Sequence, residues 1–112
     1  MSFCYFNGEF IEGARAALPF SDLALQRGIA VFDAIRTYGG RPFAMGRHLE
    51  RLAESARLSG ISLPMPPEDM AAVLREGASR IPGDSLAKPF VTAGDIEENG
   101  TGSINTPQIV GD

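Results

Sequence analysis

The sequence predicts an α+β fold, in which a small antiparallel or mixed β-sheet carries two helices packed on one face. Two observations predict it. Short aromatic and β-branched runs separated by glycine turns fill the N-terminal part of the 112-residue chain, and two longer segments with an apolar period of about 3.6 residues follow them. A hydrophobic content of 44% in a chain of this length is enough for one buried core.

The N-terminal residues predict a β-hairpin. Two short apolar runs flank Asn7-Gly8, a pair typical of a type I′ turn because both residues tolerate a positive φ angle. Residues 14–26 contain Pro19, which argues against one continuous helix, so we expect a loop that covers the sheet. The alternative is a loop that lines a site with Asp22 and Arg27, where Asp22 also suits a helix cap.

Residues 28–38 predict the central strand. Their nearly continuous apolar character is expected of a strand buried on both faces. Asp33 interrupts the run, and an acid in such a strand needs a partner because burying an unpaired charge is costly. The glycine pair that follows predicts a turn into a short strand over residues 41–44, where Pro42 favours an edge position.

Two amphipathic helices come next. The first is predicted over residues 47–58, with Gly60 as its C-terminal cap. The second is predicted to begin at Pro66-Pro67 and to end near Arg80. The apolar positions expected to face the core are Leu49, Leu52, Ala53 and Ala56 in the first helix and Met70, Val73, Leu74, Ala78 and Ile81 in the second. Residues 86–93 and 108–110 predict two further short strands, the first of them weakened by a proline.

Composition excludes several kinds of function. A net charge of −4 and a pI near 4.9 are unfavourable for a nucleic-acid-binding protein. The single cysteine, Cys4, excludes an internal disulfide and a cysteine-based metal site, and the single histidine builds no recognisable metal site. No run approaches the ~18 apolar residues of a membrane span, so we expect no membrane partner and a cytoplasmic location. Neither a glycine-rich phosphate loop nor a Gly-x-Ser-x-Gly nucleophile motif is present.

The first predicted helix carries a strip of polar side chains that suits an anion. His48, Arg51 and Ser55 are spaced by three and four residues, so they share one side of the helix. A guanidinium donates hydrogen bonds in a fork that matches phosphate oxygens. Two interpretations stay open: a solvated helix face or salt bridge to Asp33, and a phosphate site.

The order of four motifs resembles a known family. NGEF, DLALQRGIAVFDAIR, GGRPF and HLERLAESA together resemble the N-terminal part of class IV, or fold-type IV, pyridoxal-phosphate enzymes. That family includes branched-chain aminotransferases, D-amino acid aminotransferases and aminodeoxychorismate lyases. The resemblance covers residues 5–60, and more loosely the second predicted helix and residues 88–91.

The resemblance implies a role for five residues. Arg51 matches the arginine that grips the 5′-phosphate of pyridoxal 5′-phosphate (PLP), and His48 matches its partner on the same helix. Phe32 matches an aromatic residue of the substrate pocket, Arg27 lies at the pocket edge, and Lys88 lies where relatives contact substrate. The implied substrates are an amino acid and a 2-oxo acid, and the implied assembly is a homodimer.

The resemblance also implies that catalysis needs more chain than these residues supply. The Schiff-base lysine of the family is expected outside residues 1–112, since Lys88 is the only lysine and comes too early. Residues 1–84 would then form the small N-terminal domain, and residues 85–112 the opening of a truncated large domain. Two alternatives to an aminotransferase remain: an aminodeoxychorismate lyase, and a non-catalytic fragment that self-associates or binds a partner through unpaired strand edges.

Overall fold

Three small antiparallel sheets form the β part of the fold in the computed structural model, which describes residues 3–95. β1 pairs with β2, β3 pairs with β7, and β4 lies between β5 and β6. In chain order the strands are β1 (Phe3–Phe6), β2 (Glu9–Glu12), β3 (Ala30–Phe32), β4 (Ile35–Tyr38), β5 (Arg41–Pro42), β6 (Ser85–Ala87) and β7 (Phe90–Thr92). A 3₁₀ turn (Gly13–Arg15) and the helices α1 (Leu23–Arg27), α2 (Met45–Ser59) and α3 (Pro67–Ser79) connect them.

The predicted hairpin is confirmed. Asn7 and Gly8 form the turn between β1 and β2 with φ angles of 51° and 89°, the two positive values that a type I′ turn requires. Phe10 of β2 lies under Arg80 at the end of α3, with the guanidinium carbon 4.0 Å from the ring centroid. This cation–π contact ties the hairpin to the second long helix.

The prediction of one central strand over residues 28–38 is wrong in two respects. The segment divides into β3 and β4, which pair with different strands, and side-chain burial alternates along both. The ladder is interrupted where Asp33 lies opposite Pro89, because the Asp33 N–H donates to the Pro89 carbonyl oxygen at 3.1 Å but proline has no N–H to donate in return. The predicted strand over residues 86–93 divides in the same way at Lys88 and Pro89, opposite the first break.

The burial pattern leaves one face of β3 and β4 uncovered within the described residues. Val31, Ile35 and Thr37 are buried on the helix side, whereas Phe32 and Tyr38 are 59% and 52% exposed. The apolar run over residues 28–38 is therefore buried on one face only within the described residues. The edge position predicted for Pro42 is confirmed, since β5 is the outer strand of its sheet.

Both long helices are confirmed, with small shifts of their ends. α2 begins at Met45, two residues earlier than predicted, and ends at Ser59; Gly60 follows as the C-terminal cap in the left-handed conformation, with a φ of 71°. α3 begins at Pro67 and ends before Arg80. The core holds both helices against one side of the strands; its largest fully buried apolar side chains include Ile35, Leu52, Met70, Leu74 and Val91.

The α+β class with two helices on one face is thus confirmed. The strand predicted over residues 108–110 lies outside the described residues. The division into residues 1–84 and 85–112 stays a prediction, and within the described part β6 and β7 pair with β4 and β3. Over residues 3–95, no helix has the length and apolar character needed to cross a bilayer.

Candidate functional site

The break between β3 and β4 brings one carboxylate under the first turns of α2. His48 and Arg51 lie three residues apart on α2, so both side chains project from the same side of the helix. Asp33 sits in the break with its backbone N–H bonded to the carbonyl oxygen of Pro89 at 3.1 Å. The fold therefore places the predicted phosphate-binding pair directly over the predicted acid.

Arg51 grips the carboxylate at two points. Its Nε donates to Oδ2 of Asp33 at 2.9 Å and its Nη2 donates to Oδ1 at 2.8 Å. His48 approaches the same oxygen, with Nδ1 3.0 Å from Oδ1. The carboxylate is buried, with 7% of the Asp33 side chain exposed, whereas 67% of the Arg51 side chain is exposed. One edge of the guanidinium is therefore fixed to the fold and the opposite edge faces solvent.

The charge state of Asp33 follows from these contacts. The Arg51 guanidinium, with smaller help from His48 and the Ala34 N–H, outweighs the opposing effect of burial and lowers the pKa of the Asp33 carboxyl from its usual 3.8 to about 2. In return, the carboxylate raises the pKa of Arg51 above its usual value. Asp33 is ionised at neutral pH, and an ionised carboxylate only accepts hydrogen bonds.

This fixes the tautomer of His48. Its Nδ1 must carry a proton to donate to Asp33, so Nε2 is the atom left for another partner. The 3.3 Å approach of Arg51 Nη2 to the same Nδ1 is then a contact between two donors and not a hydrogen bond. The Asp33 carboxylate thus contacts both side chains that the resemblance assigns to the cofactor.

A pH dependence of stability is expected from this carboxylate. Because the folded-state pKa of Asp33 is about 2 and the unfolded one about 3.8, the unfolded chain takes up the proton first as pH falls. The pair therefore stabilises the fold fully above about pH 5, and this contribution, about 2 kcal/mol at 1.36 kcal/mol per pKa unit, is lost as the pH falls through about 2. Urea unfolding of the protein and of Asp33→Asn at several pH values measures it. Parallel pH profiles of the two proteins would contradict the assignment.

A second group of predicted residues lies on the uncovered face of the strands. Phe32 and Phe90 are cross-strand neighbours in the β3–β7 pair, and their rings stack with centroids 6.1 Å apart. The Nζ of Lys88 lies 5.9 Å from the centroid of the Phe32 ring. The structure therefore brings two predicted substrate residues, Phe32 and Lys88, together. Phe90 was not predicted as a site residue, because only the register of the two strands places it beside Phe32.

Arg27 belongs to neither group. It is the exposed last residue of α1, and residues 3–95 give it no ion pair. Asp22, named with Arg27 as a possible site residue, is buried and accepts hydrogen bonds from the Ala24 N–H at 2.8 Å and from the Thr92 hydroxyl at 3.2 Å. Asp22 thus caps α1 and attaches it to β7, which is a structural role.

Comparison with known proteins identifies the family. The sequence model of the family described as "Amino-transferase class IV" matches residues 30–107, which include Asp33, His48 and Arg51. The chain belongs to the class IV aminotransferase family. This confirms the resemblance on which the residue roles were predicted.

This chain matches only part of the length of its curated class IV relatives. A putative branched-chain-amino-acid aminotransferase of Methanocaldococcus jannaschii is 36% identical over 72 residues, which are 64% of this chain and 25% of the relative. A D-alanine aminotransferase of Bacillus licheniformis is 34% identical over 71 residues, 63% of this chain and 25% of the relative. The alignments thus span about a quarter of the length of these relatives.

Solved aminotransferase structures share the fold of this class IV chain. An aminotransferase from Brucella abortus bound to the cofactor PLP superposes with a TM-score of 0.83 at 25% identity, over 99% of this chain and 41% of that one. A fold IV transaminase from Curtobacterium pusillum gives a TM-score of 0.79 at 25% identity, over 100% of this chain and 42% of that one. The α+β arrangement is therefore that of the N-terminal part of fold-type IV transaminases.

Proposed function

We propose that this class IV chain supplies the phosphate-anchoring part of a PLP-dependent amino-acid aminotransferase, which transfers an amino group between an amino acid and a 2-oxo acid. The observation that carries the proposal is the Arg51 guanidinium, fixed on one edge by Asp33 and exposed on the other. The family match and the relatives' names support the reaction class.

The donor set around Arg51 fits a phosphate. The contact with Asp33 uses Nε and one hydrogen of Nη2, so both hydrogens of Nη1 remain for an anion. His48 adds Nε2, which accepts a hydrogen bond from a protonated phosphate oxygen or donates one when the ring is charged. In this proposal Arg51 binds the phosphate and His48 supports it, as the family resemblance implies.

The second group of residues, Phe32, Phe90 and Lys88, offers a surface for the substrate. The exposed Phe32 ring, stacked on Phe90, offers an apolar wall for a substrate side chain, and the Lys88 ammonium beside it attracts a carboxylate. Arg27 stays in the proposal as a pocket-edge residue on the strength of the resemblance alone. The homodimer and the cytoplasmic location likewise remain predictions.

When bound, PLP supplies an electron sink for the α-carbon of the amino acid and is held covalently by a lysine amine. We place that lysine outside residues 1–112. Lys88, the only lysine, lies beside the Phe32 ring, where the proposal assigns it to the carboxylate of the substrate and not to PLP.

Binding of pyridoxamine 5′-phosphate tests the anchor. This ligand keeps the ring and phosphate but has no aldehyde, so it forms no adduct with amines. Followed by its fluorescence, it should bind the 112-residue chain roughly tenfold or more tighter than pyridoxamine, since charge-assisted hydrogen bonds to the phosphate are lost without it. Equal binding of the two ligands would refute a phosphate anchor in this chain.

A second measurement tests the place of the lysine. The chain is mixed with PLP at stoichiometric concentration, reduced with borohydride, digested and weighed. The proposal expects no stoichiometric adduct on Lys88. A quantitative adduct there would show that this chain carries its own covalent lysine and would overturn that part of the proposal.

A further inference from the structure

Asp33 touches both residues that the proposed function assigns to the phosphate. We propose that Asp33 is a positioning residue, which holds the Arg51 guanidinium in the orientation that binds the phosphate. This inference rests on the proposed function of Arg51 as the anchor. It adds a residue that contacts no ligand itself and acts through Arg51.

The carboxylate is itself held rigidly enough to position another group. Asp33 lies at the break between β3 and β4, where its N–H is bonded to Pro89 and its Oδ1 accepts from the Ala34 N–H at 2.8 Å. Its side chain is 7% exposed, so it is packed within the fold. Two hydrogen bonds of 2.8 and 2.9 Å then hold the Arg51 guanidinium against this fixed carboxylate.

The consequence for binding is a smaller ordering cost. A free arginine side chain samples many rotamers, and a ligand that selects one of them loses affinity. Here the fold already selects one orientation, in which Nη1 is on the edge away from the carboxylate. Folding, rather than ligand binding, thus orders the donor.

The same helix contains an arginine that lacks this support. Arg57 also forms a two-point contact with a carboxylate, from Nε and Nη2 to Glu54 at 3.0 and 2.6 Å. The Glu54 side chain is 55% exposed, and no other contact of the described residues holds it. Both partners of that pair therefore lie on the protein surface. Arg57 and Glu54 are therefore matched controls for Arg51 and Asp33.

A positioning role for Asp33 and simple electrostatics predict opposite changes in phosphate affinity when the charge of Asp33 is removed. A carboxylate next to an arginine repels a phosphate, so removing its charge should tighten binding if Asp33 has no positioning role. If Asp33 orients Arg51, removing the charge should weaken binding, because the two-point contact loosens. One substitution therefore distinguishes the two.

The experiment measures the affinity of the full chain for pyridoxamine 5′-phosphate in Asp33→Asn, Asp33→Glu, Glu54→Gln and Arg51→Ala. We expect Asp33→Asn to weaken binding roughly threefold to tenfold, the size of one side chain's ordering cost. Asp33→Glu restores a carboxylate and should recover most of the affinity, while Glu54→Gln should leave it unchanged. Circular dichroism confirms that each variant is folded.

The outcomes separate this inference from the proposed function. Tighter or unchanged binding by Asp33→Asn, together with loss of binding in Arg51→Ala, would overturn the positioning role and leave the anchor intact. Unchanged binding in Arg51→Ala would overturn both. If Asp33→Asn does not fold, hydrogen exchange at the arginine Nε–H groups of the unsubstituted chain decides: slower exchange at Arg51 than at Arg57 supports positioning, and equal rates contradict it.

Discussion

Arg51→Ala is expected to weaken binding of pyridoxamine 5′-phosphate by at least roughly tenfold, because the substitution removes every guanidinium donor that faces the phosphate. The same substitution leaves the buried Asp33 carboxylate without its main partner, so the free energy of unfolding at neutral pH should also fall. Ligand fluorescence measures the first effect and urea unfolding the second.

Two further variants of α2 show whether the loss of affinity in Arg51→Ala comes from a defined anchor or from general positive charge. Arg51→Lys keeps the charge but cannot reproduce a two-point fork with Asp33, so its affinity should lie between those of the unsubstituted chain and Arg51→Ala. Arg57→Ala removes an equally exposed arginine whose partner, Glu54, is itself on the surface. A loss in Arg57→Ala as large as in Arg51→Ala would mean that general positive charge, and not a defined anchor, binds the phosphate.

Leu52→Ala is expected to lower the free energy of unfolding by about 2–5 kcal/mol. Leu52 is 1% exposed and belongs to the core that joins α2 to the strands. The substitution removes buried apolar area and leaves a cavity beneath the turn of α2 that carries Arg51. Chemical denaturation of the purified chain measures the loss directly.

The same helix provides the control for this prediction. Leu58 is 71% exposed, so Leu58→Ala should change the free energy of unfolding by no more than about 0.5 kcal/mol. Similar losses from both leucines would show that α2 is not packed on the strands through the side that holds Leu52. The result would also remove the basis for the position of Arg51.

Local signals explain what the sequence could predict of the fold. The Asn7-Gly8 pair, the apolar period of α2 and Gly60 each act over a few neighbouring residues, and each gave a confirmed element. The break at Asp33 was not predicted, because it depends on the pairing of Asp33 with Pro89, which has no N–H to complete the ladder and lies far away in the sequence. Apolar runs also cannot tell a strand with one open face from one covered twice.

The candidate site shows the same limit. Helical spacing was enough to place His48 and Arg51 side by side, and the buried position of Asp33 required some partner. The sequence left a salt bridge to Asp33 and a phosphate site as alternatives. In the structure they are compatible, because the salt bridge occupies one edge of the guanidinium and leaves the other exposed.

We propose that Arg51, held by Asp33, binds the phosphate. The most direct test is an NMR titration of the ¹⁵N-labelled chain with pyridoxamine 5′-phosphate, observing the side-chain Nε–H signals of Arg51 and Arg57. The claim predicts a saturable shift at Arg51 with the same Kd as the fluorescence titration and no shift at Arg57. An Arg51 signal that stays in place while the ligand binds would contradict it.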